Sequence, residues 1–146
     1  MDKPLKIISE IKTPRLTARA ATTAMTDWLF HAIDISRNRL REFLFWVDNV
    51  QKVEDERKTL SDFAEGWEKG EIFAYVLYNT DEKIVGTIDV HNISYGNHFA
   101  ELGYWLKDGE TGKGYISEIL PYVEKIFFAA GLHLSLIHIS EPTRPE

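Results

Sequence analysis

The feature that most limits what this chain can fold into lies in residues 99–131. A β-rich run, FAELGYWL, leads into a loop holding Gly109, Gly112 and Gly114, and then into an apolar stripe at helical spacing. Ile116, Ile119, Leu120, Val123, Phe127 and Ala130 make that stripe, and Gly131 marks its end. A strand that feeds a helix through a glycine loop gathers backbone N–H groups at the helix start, where an anion such as a phosphate is favoured. A helix in this position normally crosses over to a parallel strand. That strand is expected just beyond Leu132. Pro121 falls inside the stripe, removes one backbone donor and crowds the Ser117 carbonyl. A kink there, or a later helix start, is expected.

Upstream, residues 13–20 (TPRLTARA) follow the pattern of a strand with Leu16 and Ala18 on one face. Thr22 or Thr23 is placed to cap a helix whose stripe is Met25, Trp28, Leu29, Ala32 and Ile33. Leu40, Phe43, Leu44 and Val47 predict a second short helix, with Trp46 beside its stripe. A third is expected from Asn49, with Val53, Leu60, Phe63, Ala64 and Trp67 on one side and Gly70 as its left-handed stop. Three β-rich runs follow, at 72–78, 84–93 and 99–106, separated by the polar turns NTDEK and SYGNH. Such short connections make antiparallel hairpins. The order predicts an α+β fold with a mixed, mainly antiparallel sheet and helices on both faces.

Composition removes several classes. The formal net charge of −6 argues against a general nucleic-acid binder, which needs a basic surface. There is no cysteine, hence no disulfide framework and no thiol catalysis, which fits a cytoplasmic protein. No apolar run approaches the ~18 residues that a membrane span needs, and residues 1–10 lack the apolar core of a signal peptide. The five histidines show no metal-binding spacing, so no metal site is expected.

Three phosphate motifs fit the glycine loop unequally. A P-loop requires Gly-Lys-Ser/Thr, but Gly112-Lys113 is followed by Gly114 and the leading position is Lys107. A dinucleotide fingerprint fits Gly112 and Gly114 but has Ser117 at its third glycine and no βαβ context. The third motif resembles the acetyl-coenzyme A loop of the GNAT acetyltransferases, which runs Gln/Arg, two residues, Gly, one residue, Gly/Ala. In this sequence Gly114 matches the central glycine, while Thr111 replaces Gln/Arg and Ile116 replaces Gly/Ala. A plain turn before a helix is the bland alternative. The wider chain carries further landmarks: TPRLTARA, LREFLFWVD, KIVGTIDVHNI, AELGYWL, GKGYISE and FFAAGLH, in order. Together they are similar to the GNAT branch that acetylates the N-termini of ribosomal proteins.

The resemblance implies an α/β/α sandwich and acetyl-CoA as the acetyl donor. It places the pantetheine along the strand at Tyr104, Trp105 and Leu106. It places the pyrophosphate on the loop at Gly112, Lys113, Gly114, Tyr115, Ile116 and Ser117. An N–H of that strand, such as Leu106, would stabilise the developing oxyanion. The acceptor would be a protein N-terminus, or alternatively a small amine such as an antibiotic or polyamine. A non-catalytic coenzyme A or nucleotide module, and an interaction protein without cofactor, are the remaining readings. A terminal amine, with a pKa of ~7.7–8.0 against ~10.4 for lysine, needs only a modest base. Glu101 is the candidate catalytic base, with a structural ion pair as its plainer role. Trp46 and Arg41 are candidates for the acceptor groove, and His91 for a proton relay. For each of these a packing or surface role is the alternative.

Residues 134–144 read LSLIHISEPTR, which matches the translation of a common transposase sequencing adapter. The expected organisation is therefore an N-terminal extension over 1–12, a truncated acetyltransferase domain over 13–133 and an adapter-derived tail over 134–146. On this reading the sheet is incomplete after the last helix and its edge is open. The family's thiolate acid, a Ser or Tyr further on, has no matching position. The chain as written is then expected to be inactive and aggregation-prone, although its parent is an enzyme.

Overall fold

A computed structural model of the chain describes residues 5–136. Its sheet has six strands in sequence order: β1 (Glu10–Lys12), β2 (Thr17–Ala20), β3 (Phe73–Tyr78), β4 (Ile84–Ser94), β5 (Phe99–Leu106) and β6 (His133–Leu136). The first five are antiparallel neighbours, and β6 joins β5 in parallel. Four helices complete the described residues: α1 (Thr26–Ile35), α2 (Arg37–Leu40), α3 (Val53–Lys69) and α4 (Tyr115–Ala129). This is the mixed, mainly antiparallel α+β sheet that the residue order predicts.

The sheet lies between two apolar layers. Ile88, Leu102, Leu106 and their neighbours on one face meet Ile116, Ile119, Val123 and Phe127 of α4. Ala74, Val76 and Trp105 on the other face meet Leu29, Ile33, Leu40, Val47 and Leu60 from the first three helices and the 3-10 turn before α3. The pleat separates these two sets because successive strand residues point to opposite faces. β4 and β5 approach so closely at Gly86 that an added Cβ would lie 2.2 Å from the Trp105 carbonyl oxygen.

Several expectations are corrected. The strand placed at 13–20 begins only at Thr17, and a short β1 precedes it, because Thr13 and Leu16 close a turn through mutual hydrogen bonds. Neither Thr22 nor Thr23 caps α1 with its side chain. Trp28 is 70% exposed and leaves the α1 stripe. The helix expected over Leu40 to Val47 is split into α2 and a 3-10 turn at Phe45–Asn49. The third helix starts at Val53 rather than Asn49, since Asp55 reaches back to accept the Gln51 and Lys52 amides at 2.9 and 3.1 Å. Gly70 closes that helix at φ 71°, as its spacing predicts. α4 runs from Tyr115 to Ala129 as one element with Pro121 inside it, so the later start does not occur.

The open edge after α4 is also corrected. β6 pairs with β5 from Phe99↔His133 to Leu102↔Leu136. Alternating Leu residues next to an unpaired strand satisfy backbone donors and acceptors whatever their origin. The rest of the tail reading, residues 137–146, lies outside the described residues. No helix of the described residues is long and apolar enough to cross a membrane.

Candidate active site

The Lys107 N–H donates to the Val85 carbonyl at 2.8 Å, so the residue pair 85/107 is hydrogen-bonded across β4 and β5. Antiparallel alternation then turns the backbone groups of Tyr104 and Leu106 away from β4. Among the described residues β6 pairs with that side of β5 from Phe99 to Leu102. At the end of β5 the Arg39 guanidinium of α2 donates to the Leu106 carbonyl and, at 2.7 Å, to Asp108. The Ser36 hydroxyl accepts the Asp108 N–H at 2.8 Å.

The loop that follows is shaped for close backbone approach. Gly114 is the residue before α4, at φ 80°, a conformation that costs an L side chain ~1–2 kcal/mol. With no side chain there, nothing caps α4 locally, and its first N–H groups have no acceptors within the helix. Arg15, from the turn before β2, spans this bend. It donates to the Lys113 carbonyl at 2.8 Å and to Glu118 at 2.6 Å, and lies 4.8 Å from the Tyr115 ring centre. Burial alone would raise the Glu118 carboxyl, but hydrogen bonds from Thr13 and Arg15 outweigh it and hold it below the usual range. Lys113 itself pairs with Glu110 at 3.1 Å. The structure therefore brings Tyr104, Trp105, Leu106 and the Gly112, Lys113, Gly114, Tyr115, Ile116 and Ser117 segment to one end of the sheet, along the last residues of β5 and the start of α4.

On the opposite face, a cavity of about 270 Å3 opens between the helical layer and β4–β5. Trp46, Glu56, Phe63, Asp89, Tyr104 and Trp105 are among its walls. Trp46 sits 6.4 Å from Trp105, ring centre to ring centre. Arg41 is not in this wall and pairs with Asp48 at 3.0 Å.

Glu101 and His91 lie directly across from one another in the β4–β5 register, outside the cavity walls. The His91 Nδ1 is 2.7 Å from Asp89, which does line the cavity, and its Nε2 is 3.7 Å from Glu101. The hydrogen bond to Asp89 raises the His91 imidazole above its ordinary value, against the opposing effect of burial. Asn92, at φ 49° in a bulge of β4, donates to Glu101 at 2.6 Å. Bulges of this kind re-aim a side chain beside a site. Glu101 is thus tied into a row running from Asn92 through His91 to Asp89 at the cavity wall.

Sequence reading missed Arg15, Arg39, Asp89 and Glu56. The first two act across 98 and 67 residues of chain, and no local pattern marks them. Glu56 did leave a trace: it falls on the stripe of Val53, Leu60, Phe63 and Trp67, a charge where an apolar residue is due.

Comparison with known proteins decides the family. Residues 15–142 match the Acetyltransferase (GNAT) domain. The chain is a member of the GNAT family. One relative of this GNAT domain is the ribosomal-protein-serine acetyltransferase of Escherichia coli (strain K12), 33% identical over 92 residues, or 63% of this chain and 51% of that protein. The chain spans about half the length of the curated relatives it matches. Among solved structures, the RimL ribosomal L7/L12 alpha-N-protein acetyltransferase in complex with coenzyme A superposes with a TM-score of 0.73. It is 22% identical, covering 81% of this chain and 70% of that one. The microcin C7 self-immunity acetyltransferase MccE, in complex with acetyl-CoA and AMP, gives 0.83 at 18% identity, covering 88% and 72%. At these identities the two structures support the GNAT fold.

Proposed function

We propose that the protein to which this domain belongs is an acetyl-CoA-dependent N-acetyltransferase that modifies the α-amino group of a protein, with a ribosomal protein as the first acceptor to test. The observation that carries this is the bend between β5 and α4, where Gly114 at φ 80° leads the helix with no side-chain cap. The β5 residues that run up to it, Tyr104 and Leu106, turn their backbone groups away from β4. Such an arrangement suits an extended amide-bearing chain with a diphosphate at one end, because strand edges pair with amides and clustered N–H groups favour anions. Coenzyme A has that shape, and the relatives named above bind it or carry acetyltransferase names.

Acetyl-CoA supplies the activated acyl group. The chain's residues would do the rest. Gly112, Lys113, Gly114, Tyr115, Ile116 and Ser117 would hold the pyrophosphate, with Arg15 bracing the bend. Tyr104 and Trp105 would align the pantetheine, and the Leu106 N–H would face the thioester oxygen. The acceptor nitrogen forms the new C–N bond, the C–S bond breaks, and the thiol leaves. In this scheme the row Asp89, His91 and Glu101 carries protons away from the amine. A cytoplasmic location matches such an acceptor. A small-amine acceptor is the second reading, favoured by the modest volume of the cavity.

Calorimetry with acetyl-CoA tests the assignment. A one-to-one isotherm is expected, and Gly114→Ala is expected to weaken it roughly tenfold, ~1.4 kcal/mol. No binding by a folded chain would overturn it.

A further inference from the structure

Glu56 stands apart from every other carboxylate of the described residues. It lies in the first turn of α3, is only 3% exposed, and lines the cavity between the helical layer and the sheet. Among the described residues no side chain or backbone group donates a hydrogen bond to it. Its neighbour Asp55 contrasts sharply, being held by the Gln51 and Lys52 amides. A buried carboxylate without a partner is costly, and ordinary folding gives no reason to keep one. The walls around it add a second observation. Trp46, Phe63 and Trp105 offer aromatic surface, Asp55 and Asp89 bring two further carboxylates, and no Lys or Arg is among the lining residues. Aromatic faces and carboxylates together are the chemistry that receives an ammonium ion.

Resting on the acetyltransferase assignment above, we infer that this cavity seats the acceptor amine and that Glu56 is the counter-ion and first proton acceptor for it. The acceptor enters as a primary ammonium, R–NH3+, and pairs with the Glu56 carboxylate. One proton passes to Glu56, leaving a neutral nitrogen with its lone pair free. As the C–N bond forms and the C–S bond breaks, the second proton goes to the departing sulfur. Glu56 then returns its proton to solvent. Burial pushes the Glu56 carboxyl up to about 7, close to the range of a terminal amine, so proton exchange between the two is nearly balanced. The titratable groups around it are Asp55 on its own helix, Asp89 on β4 with His91 behind it, and Tyr104 on β5. The 3-10 turn and α1 contribute only Trp46, Asn49, Val50, Leu29 and Ile33. Glu101 is then the outer end of the proton row, not the group that meets the amine.

The test uses the full chain with 13C-labelled glutamate side chains and E56Q for assignment. The probes are a hexapeptide with a free N-terminal serine, its N-acetylated form, and n-butylammonium. The Glu56 carboxyl signal is expected to titrate near 7 and to shift on adding a free-amine probe, not the acetylated peptide. E56Q, checked for fold by circular dichroism, is expected to lose roughly tenfold in affinity for that probe while its acetyl-CoA isotherm stays unchanged. A response to n-butylammonium alone keeps Glu56 in this role and assigns the acceptor to small amines. A Glu56 signal that titrates with the surface glutamates and ignores both amines overturns the inference. So does an E56Q chain that binds them as the parent does. Failure of acetyl-CoA to bind is read separately and strikes the acetyltransferase assignment instead.

Discussion

A glutamate with no partner makes the fold's stability depend on pH in a defined direction. Glu56 prefers its proton in the folded state, with its carboxyl raised to about 7. The native state therefore has its full share of stability from this group below the ordinary carboxylate range. That share is lost as pH rises through about 7. Relative to E56Q, the parent chain is expected to lose on the order of 3 kcal/mol across that window, and nothing further above it. Urea melts of both chains at several pH values would measure this. His91 offers a second residue-level check. Its imidazole is raised by the bond to Asp89, so its contribution is full below the ordinary histidine value and fades as pH rises through the folded one. Asp89→Asn is expected to return the His91 NMR titration toward the ordinary value.

The bend between β5 and α4 is held by a residue on another element. Arg15, from the turn before β2, ties the Lys113 carbonyl and Glu118 together. Arg15→Ala is expected to weaken acetyl-CoA binding without changing the fold, read by calorimetry beside circular dichroism. It also frees Glu118, whose depressed carboxyl adds stability above the ordinary carboxylate range and loses it as pH falls through the folded value. Acid unfolding should therefore become shallower in the variant. The elements themselves were largely legible. Period-two and helical patterns located β3, β4, β5, α3 and α4, and Gly70 marked its own stop. The helix split between Leu40 and Val47 was not legible. Its apolar residues keep helical spacing, yet Leu44 is extended and Val47 turns inward from a 3-10 turn. The glycine loop was readable because Gly114 sits in local sequence next to its helix. The cavity on the other face was not, because Trp46, Glu56, Asp89 and Trp105 meet only after four separate segments pack.

At the scale of the molecule, the sheet divides the two halves of the proposed chemistry. The loop and α4 lie toward one face, the amine cavity lies on the other, and β5 borders both. The last short strand guards one end of that arrangement. Ending the chain after Leu132 would bare β5 at residues 99–102, an unpaired edge of the kind that templates aggregation. Such a chain is expected to scatter light at concentrations where the parent stays clear.

The glycine that leads α4 has a further consequence. Gly114 offers no side chain to bond the first amides of that helix. An anionic ligand lying there would serve as a structural member as well as a reactant. Melting temperature would then report occupancy directly, rising with ligand concentration by about 2.7 kcal/mol of stability at a hundredfold excess over Kd.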